Sequence, residues 1–595
     1  MGLFRKASVT HLYPDDAIRH ELEQQGDTKT AFGDKSPGVR RIEAISKCFT
    51  SWHLYVLFIS IFFVSCEWGC LLLDGFVRFQ FQTYAVASFG LTAQISTVNV
   101  VRGIVAAAAQ PAFAKISDYF GRISILFIAA MFYVVGTILC AASKDLAQFS
   151  GGALLYQFGY TGIQLLVEVI IADTTSLRSR LFFSYIPALP GVINTWVSGN
   201  VVNAVLANSS WRWGIGMWAI IFPVLAIPLL YCLVHAEIRA GRAGYLDDIP
   251  SPFRSLSHAS LWTDVFWQID LVGLLLLAAS FALILLPFTL AGGVASLWPT
   301  ARIITPLVVG FVVALPIFVI WELKFARHPV VPFRLLKDRQ ILAGLTIACL
   351  LNTAWYCQGD YLYQILIVSF DRDIISATRT QNIYTFVSVI TGVSLGLVVR
   401  KVRRIKWFVV AGTSLFVLAF GLLIRFRGGK TSDYAGLVAG EVILGLAGGL
   451  FPYPTQVLVQ SAVQHERTAV ITSLYLACYS IGSALGNTIA AGILTNTLPG
   501  KIQDEFVLHG INNATLAAEA YADPYGFSAT WPMGTPQRDA LAAATRETQR
   551  LMCIAGICIS SLLVFVSLCL KNPHLSDEQS FENAEGREES IMEMT

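Results

Sequence analysis

The chain carries little charge. Only 14% of its 595 residues are Asp, Glu, Lys or Arg, against about a quarter in ordinary soluble domains. The two signs nearly cancel, 42 Lys and Arg against 39 Asp and Glu. That leaves no basic field for nucleic-acid phosphates. Histidine is scarce, at 9 residues, and none lies in the middle of an apolar run. A proton relay inside those runs therefore has to use carboxylates. Of the 11 cysteines, all but Cys48 fall within apolar runs, where Cys behaves as a small buried hydrophobe and not as part of a disulfide framework. Cys66 and Cys70 sit one helical turn apart, but no His or second Cys pair accompanies them. Helix packing, with no metal site, is the expected role.

Two enzyme signatures fail in the same way. Gly429-Lys430-Thr431 has Ile424 where a phosphate-binding loop needs Gly. Gly392-Val393-Ser394-Leu395-Gly396 has the hydrolase spacing but lies inside an apolar run, not at a strand-to-helix turn. No enzyme activity, nucleotide site or cofactor is expected, so any energy comes from a gradient.

Apolar residues are abundant instead. They make up 55% of the chain, with 12% aromatic and a mean hydropathy of +0.61. They cluster in runs of roughly 20, the length that crosses a bilayer as a helix. We count about fourteen such spans, near 53–73, 92–113, 124–142, 149–171, 181–206, 213–234, 268–290, 303–322, 341–368, 380–399, 407–425, 436–459, 468–494 and 550–570. The expectation is an all-α membrane protein whose partner is the lipid bilayer. An even count puts both termini on one side. The basic loops "RKVRRIK" (400–406) and "ELKFARHPVVPFRLLKDR" (322–339) make that side the cytoplasm.

The resulting organisation begins with a polar tail (1–50) and a six-helix half (51–234). A cytoplasmic loop (235–267), an inserted helix pair (268–322) and a second cytoplasmic loop (323–340) follow. A second six-helix half (341–570) contains a long outer loop (495–549), and an acidic tail (571–595) closes the chain. Both tails read as disordered. Asn513-Ala514-Thr515 in the outer loop is a glycosylation sequon. A faint repeat relates the second and tenth spans, each ending in a short basic turn. Repeated halves around a midplane site are a common transporter plan.

Ionisable residues within spans are costly and point to function. Glu67, Asp74, Arg102, Glu168 and Asp173 are the proton-coupling candidates, and Glu441 is a further intramembrane carboxylate. Gln157, Thr161, Gln164 and Glu168 share one helical face. A polar stripe in a membrane helix faces protein or a wet cavity. Asn194, Trp196 and Asn200 on span five, and Asn352, Tyr356 and Tyr363 on span nine, extend this lining. Gln456 on span twelve and Tyr475 and Tyr479 on span thirteen complete it. Aromatics and amides in such numbers suit a bulky, polar ligand. Pro187 and Pro190-Gly191 on span five, and Pro452 and Pro454 on span twelve, predict broken helices.

The segment "FAKISDYFGR" resembles the loop signature of the major facilitator superfamily, with Asp118, Gly121 and Arg122 in place and Ala114 where Gly usually stands. The longer strings "STVNVVRGIVAAAAQPAFAKISDYFGR" (96–122), "YQFGYTGIQLLVEVIIADTTSLRSRLFFSYIPALPGVINTWVSGN" (156–200) and "YAVASFG" (84–90) resemble the fungal siderophore–iron transporters, as does Trp211-Arg212-Trp213 the fourteen-span variety. The resemblance covers roughly 50–570. It implies the major facilitator fold, a cytoplasmic gate at Asp118 and Arg122, and proton-coupled import of ferric siderophores of hydroxamate or catecholate type. The siderophore already wraps the iron, so no metal ligand is required of the protein. A plasma-membrane location is expected, with endosome or vacuole as the other options. A proton antiporter exporting glutathione or drugs is the alternative reading.

Overall fold

The computed structural model describes residues 68–89, 95–246, 270–291, 299–327, 335–427, 433–464 and 467–577, with a few isolated positions besides. Glu67 and most of both tails lie outside the described residues.

The first half comprises α1 (Trp68–Ser88), α2 (Ile95–Phe120), α3 (Arg122–Ala142), α4 (Leu146–Thr174), α5 (Leu177–Ser184), α6 (Gly191–Asn208), α7 (Trp211–Gly216) and α8 (Trp218–Arg242). The inserted pair is α9 (Leu271–Ala291) and α10 (Ala301–Phe325). The second half runs through α11 (Arg339–Gly359), α12 (Leu362–Val368), α13 (Ile374–Val402), α14 (Lys406–Arg427), α15 (Tyr434–Leu450) and α16 (Pro452–Gln460). It ends with α17 (Thr468–Leu508), α18 (Ala514–Ala522), α19 (Pro524–Thr530) and α20 (Pro536–Leu568). All regular structure among the described residues is helical, and ten helical segments are long and apolar enough to cross a membrane.

Lipid is as apolar as the side chains, so helix association here depends on close packing of small residues. Gly136 of α3 and Gly159 of α4 each lie against the partner helix's backbone, at Tyr156 and Tyr133 respectively. Gly482 and Gly486 of α17 seat on the carbonyls of Cys349 and Thr353 in α11. Gly392 and Gly396, the false hydrolase motif, receive Tyr185 and Phe182 across the boundary between the halves. The outward faces stay apolar: Phe127, Met131, Val135 and Ile138 of α3 recur at helical spacing and are exposed.

The expected breaks occur. Span five divides into α5 and α6 around Pro187 and Pro190, and span twelve divides at Phe451–Pro452. A third break, at Asp360–Tyr361 between α11 and α12, has no proline. It is held by Arg427, which donates to the Gln358 carbonyl (3.2 Å), and by Gln549, which donates to that of Tyr361 (3.1 Å).

Two expectations change. The stretch after Asp74 is not a loop, since α1 continues to Ser88. The segment 495–549 is mostly helical. There α17 runs on to Leu508, and α18 and α19 close over Leu498, Ile502 and Phe506. A window tuned to apolar runs passes over both, because their helices alternate apolar and polar residues.

Candidate functional site

Asp118, Gly121 and Arg122 form one unit at the end of α2. Gly121 has φ +91°, a left-handed turn that a side chain would strain. The turn lets α3 begin at Arg122, whose guanidinium reaches back to Asp118 (2.5 Å) and the Ser117 hydroxyl (2.6 Å). The same guanidinium pairs with Asp173 on α4 (3.4 Å). Asp173, a proton-coupling candidate, thus stands in the same charged cluster as Asp118 and Arg122.

Glu168 lies five residues before Asp173, about 7.5 Å further into the bundle along α4. Its side chain is buried. Gln456 of α16 donates its amide N–H to Glu168 Oε2 at 3.1 Å, and Ser184 of α5 also lies in hydrogen-bonding reach. This bond joins the two halves. Two others cross at the same end: Tyr185 OH donates to the Gly449 carbonyl (2.8 Å), and Arg178 Nε donates to that of Arg400 (2.8 Å).

The opposite end is tied as well. Gln80 of α1 donates to Thr378 of α13 (2.9 Å), and Asn382 of α13 donates to Ser198 of α6 (3.3 Å). With bonds across both ends, the halves enclose the interior between them.

Asp74 sits within α1, fully buried, with Arg78 donating to it at 2.8 Å. Tyr133 and Tyr156 also donate to its other oxygen, at 2.7 and 3.0 Å. The Arg78 guanidinium lies 3.9 Å over the Tyr156 ring. This is a closed, fully bonded pair, which argues for a fixed role. Arg78 was legible only as the i+4 partner of Asp74, in a stretch that reads as a loop.

Arg102 on α2 is half-buried. It donates to Gln157 (3.1 Å) and Gln82 (3.0 Å), both neutral. Tyr356 lies within electrostatic range of Tyr160, Asp360, Tyr479 and Arg102, and Asp360 within range of Arg102. Asp360, at the α11–α12 break, brings a carboxylate from the second half to face this cation. Gln164 shares the Gln157–Glu168 face and is half-buried.

Other candidates make contacts within the bundle. Asn352 donates to the Tyr479 carbonyl (2.7 Å), and Tyr475 donates to that of Pro452 (2.8 Å). Asn194 is buried. Tyr363 lies beyond the break, its ring centroid 6.3 Å from that of Tyr525. Trp196 and Asn200 do not join the interior; they fall on an exposed stripe with Ile193 and Val197. Amide-bearing and aromatic residues on one helix need not share a face. Glu441 forms a buried ion pair with Arg427.

The family model of the Major Facilitator Superfamily matches residues 57–487. Siderophore iron transporter 1 of Saccharomyces cerevisiae is 42% identical over 552 residues, covering 92% of this chain and 86% of that one. Siderophore iron transporter ARN1 of the same yeast is 37% identical, over 92% and 87% of the two chains. Siderophore iron transporter mirC of Emericella nidulans is 32% identical, over 92% and 89%. The chain belongs to the siderophore iron transporters of the major facilitator superfamily. As a member of that family it is a multi-pass membrane transporter and not an enzyme. Glu168 and Gln456 lie on opposite halves, bonded to each other across the boundary between them.

Proposed function

We propose that this transporter imports ferric siderophores by alternating access, driven by protons entering with them, with Glu168 as the proton carrier. The relatives' names support the substrate, and one observation supports the coupling site. Glu168 is a buried carboxyl whose bond to Gln456 crosses the boundary between the halves. When the halves part at this end, the bond breaks and water reaches the carboxyl. A group enclosed in one state and wetted in the next exchanges a proton between them. The iron travels inside the siderophore as cargo, of hydroxamate or catecholate type.

Positive-inside bias supports placing the Arg122 end and both tails in the cytoplasm. The opposite end, with the exposed Asn513, then faces outward, and the sequon is a proposed glycosylation site. The plasma membrane is the proposed location. The driving force is sufficient. A proton moving down about 100 mV supplies about 2.3 kcal/mol, and one pH unit adds about 1.4 kcal/mol. Together these support accumulation on the order of a few hundred-fold.

The test is uptake into liposomes under an imposed pH gradient. A gradient that is acid outside should drive accumulation of a ferric siderophore, and E168Q should bind it without accumulating it. Efflux of glutathione or drugs against the same gradient would favour antiport.

A further inference from the structure

Beyond α20 the chain crosses the Arg122 end of the molecule as an extended segment. Leu575 is fully buried in the core that α5 shares with the second half. Its backbone N–H donates to the carbonyl of Arg403 (2.9 Å), which stands at φ +59° and ends α13. One residue on, the Ser576 carbonyl accepts from the backbone N–H of Arg178 (3.1 Å), at the start of α5. Asp577 then spans both halves. One carboxylate oxygen takes Arg178 Nη1 at 3.0 Å, and the other takes Arg403 Nη2 at 3.1 Å.

Arg178 belongs to the first half and Arg403 to the second. Closing this end brings Arg178 against the basic turn 400–406, so like charges approach each other. A carboxylate placed between the two guanidiniums converts that repulsion into attraction. Opening this end moves Arg178 away from Arg403, and Asp577 can then keep only one of them.

We propose that Asp577, held by the anchored segment 570–577, is a further member of the gate, a strap that stabilises the closed state of this end together with Asp118–Arg122–Asp173. The strap acts on whatever cargo the halves enclose. It rests on alternating access and not on the siderophore or proton assignments.

The carboxylate is a little over half exposed, so the effect is modest. Exposed pairs of this kind shift an equilibrium by about two- to fivefold. The test places fluorophores on unnatural amino acids at Arg239 and Lys401, exposed positions on opposite halves at this end. Single-molecule distances are then read in the full chain without substrate. D577N and R403A should each raise the separated population by about two- to fivefold, and D577E should restore most of the closed population. An unchanged distribution in D577N overturns the strap. So does a lower yield of D577N whose folded fraction shows the native distribution. Failure of siderophore uptake with these shifts intact would count against the substrate assignment alone.

Discussion

Gln456 of α16 donates a 3.1 Å hydrogen bond to Glu168 of α4, across the boundary between the two halves. The bond lies about 1.4 helical turns inside the Asp118–Arg122–Asp173 cluster, and Glu168 and Asp173 share α4. Substitution at this pair separates chemistry from packing. In E168Q the new amide still offers a carbonyl to Gln456 and cannot titrate. Accumulation should fall by at least about tenfold, a free-energy loss near 1.4 kcal/mol, while binding changes by less than about threefold. Equilibrium binding to purified protein beside liposome uptake reads the two quantities separately.

The gate role proposed for Asp118 is conformational and needs no contact with cargo. D118N keeps the side chain's size but removes one of the two carboxylates on Arg122. Turnover should slow several-fold with a smaller change in substrate affinity. A loss confined to affinity would remove Asp118 from the gate.

Asp74 and Arg78 form a fully buried pair. Removing one partner leaves an uncompensated charge, which costs about 3–5 kcal/mol. D74A should therefore collapse the amount of folded protein. The double variant D74L/R78M removes both charges and should recover much of it. Thermal melting of detergent-purified protein compares them. If D74N folds normally and loses only proton-driven uptake, Asp74 is a coupling residue after all.

Asp577 titrates outside the membrane. The hydrogen bond from Arg178, reinforced by the charges of Arg178 and Arg403, holds its carboxyl below the ordinary value of 3.8. A depressed carboxyl contributes its stabilisation above the ordinary value and loses it as pH falls through the depressed one. The strap is therefore fully charged near neutral pH. The distance distribution between positions 239 and 401 should show no strap-dependent change from about pH 5 to about pH 8. A transition near neutrality that disappears in D577N would contradict this.

The family was legible in its long strings, the ten membrane-length helices among the described residues stand where the sequence has apolar runs of that length, and the Asp118–Arg122 turn was legible because it needs Gly121. Pro190 and Pro452 marked two helix breaks correctly, for the same reason that proline lacks an N–H. The break at Asp360 was not legible, since its stability comes from Arg427 and Gln549, far away in sequence. Glu168 stood out on its polar face. Its partner Gln456 was a candidate for a different reason, and only the fold brings the two together. Trp196 and Asn200 were misplaced because a residue's type does not fix which side of a helix faces the interior. The strap had no signal at all: Asp577 is one acid among several in a polar tail.

The most direct test is uptake of a panel of radioiron-labelled siderophores by yeast lacking its own siderophore carriers, with and without a protonophore. The account predicts uptake of at least one chelate by the native chain. A protonophore should abolish that uptake, and E168Q should lack it despite normal surface expression. Uptake that persists in the protonophore or in E168Q would contradict proton coupling through Glu168. No uptake of any chelate by protein shown at the cell surface would contradict the import function itself.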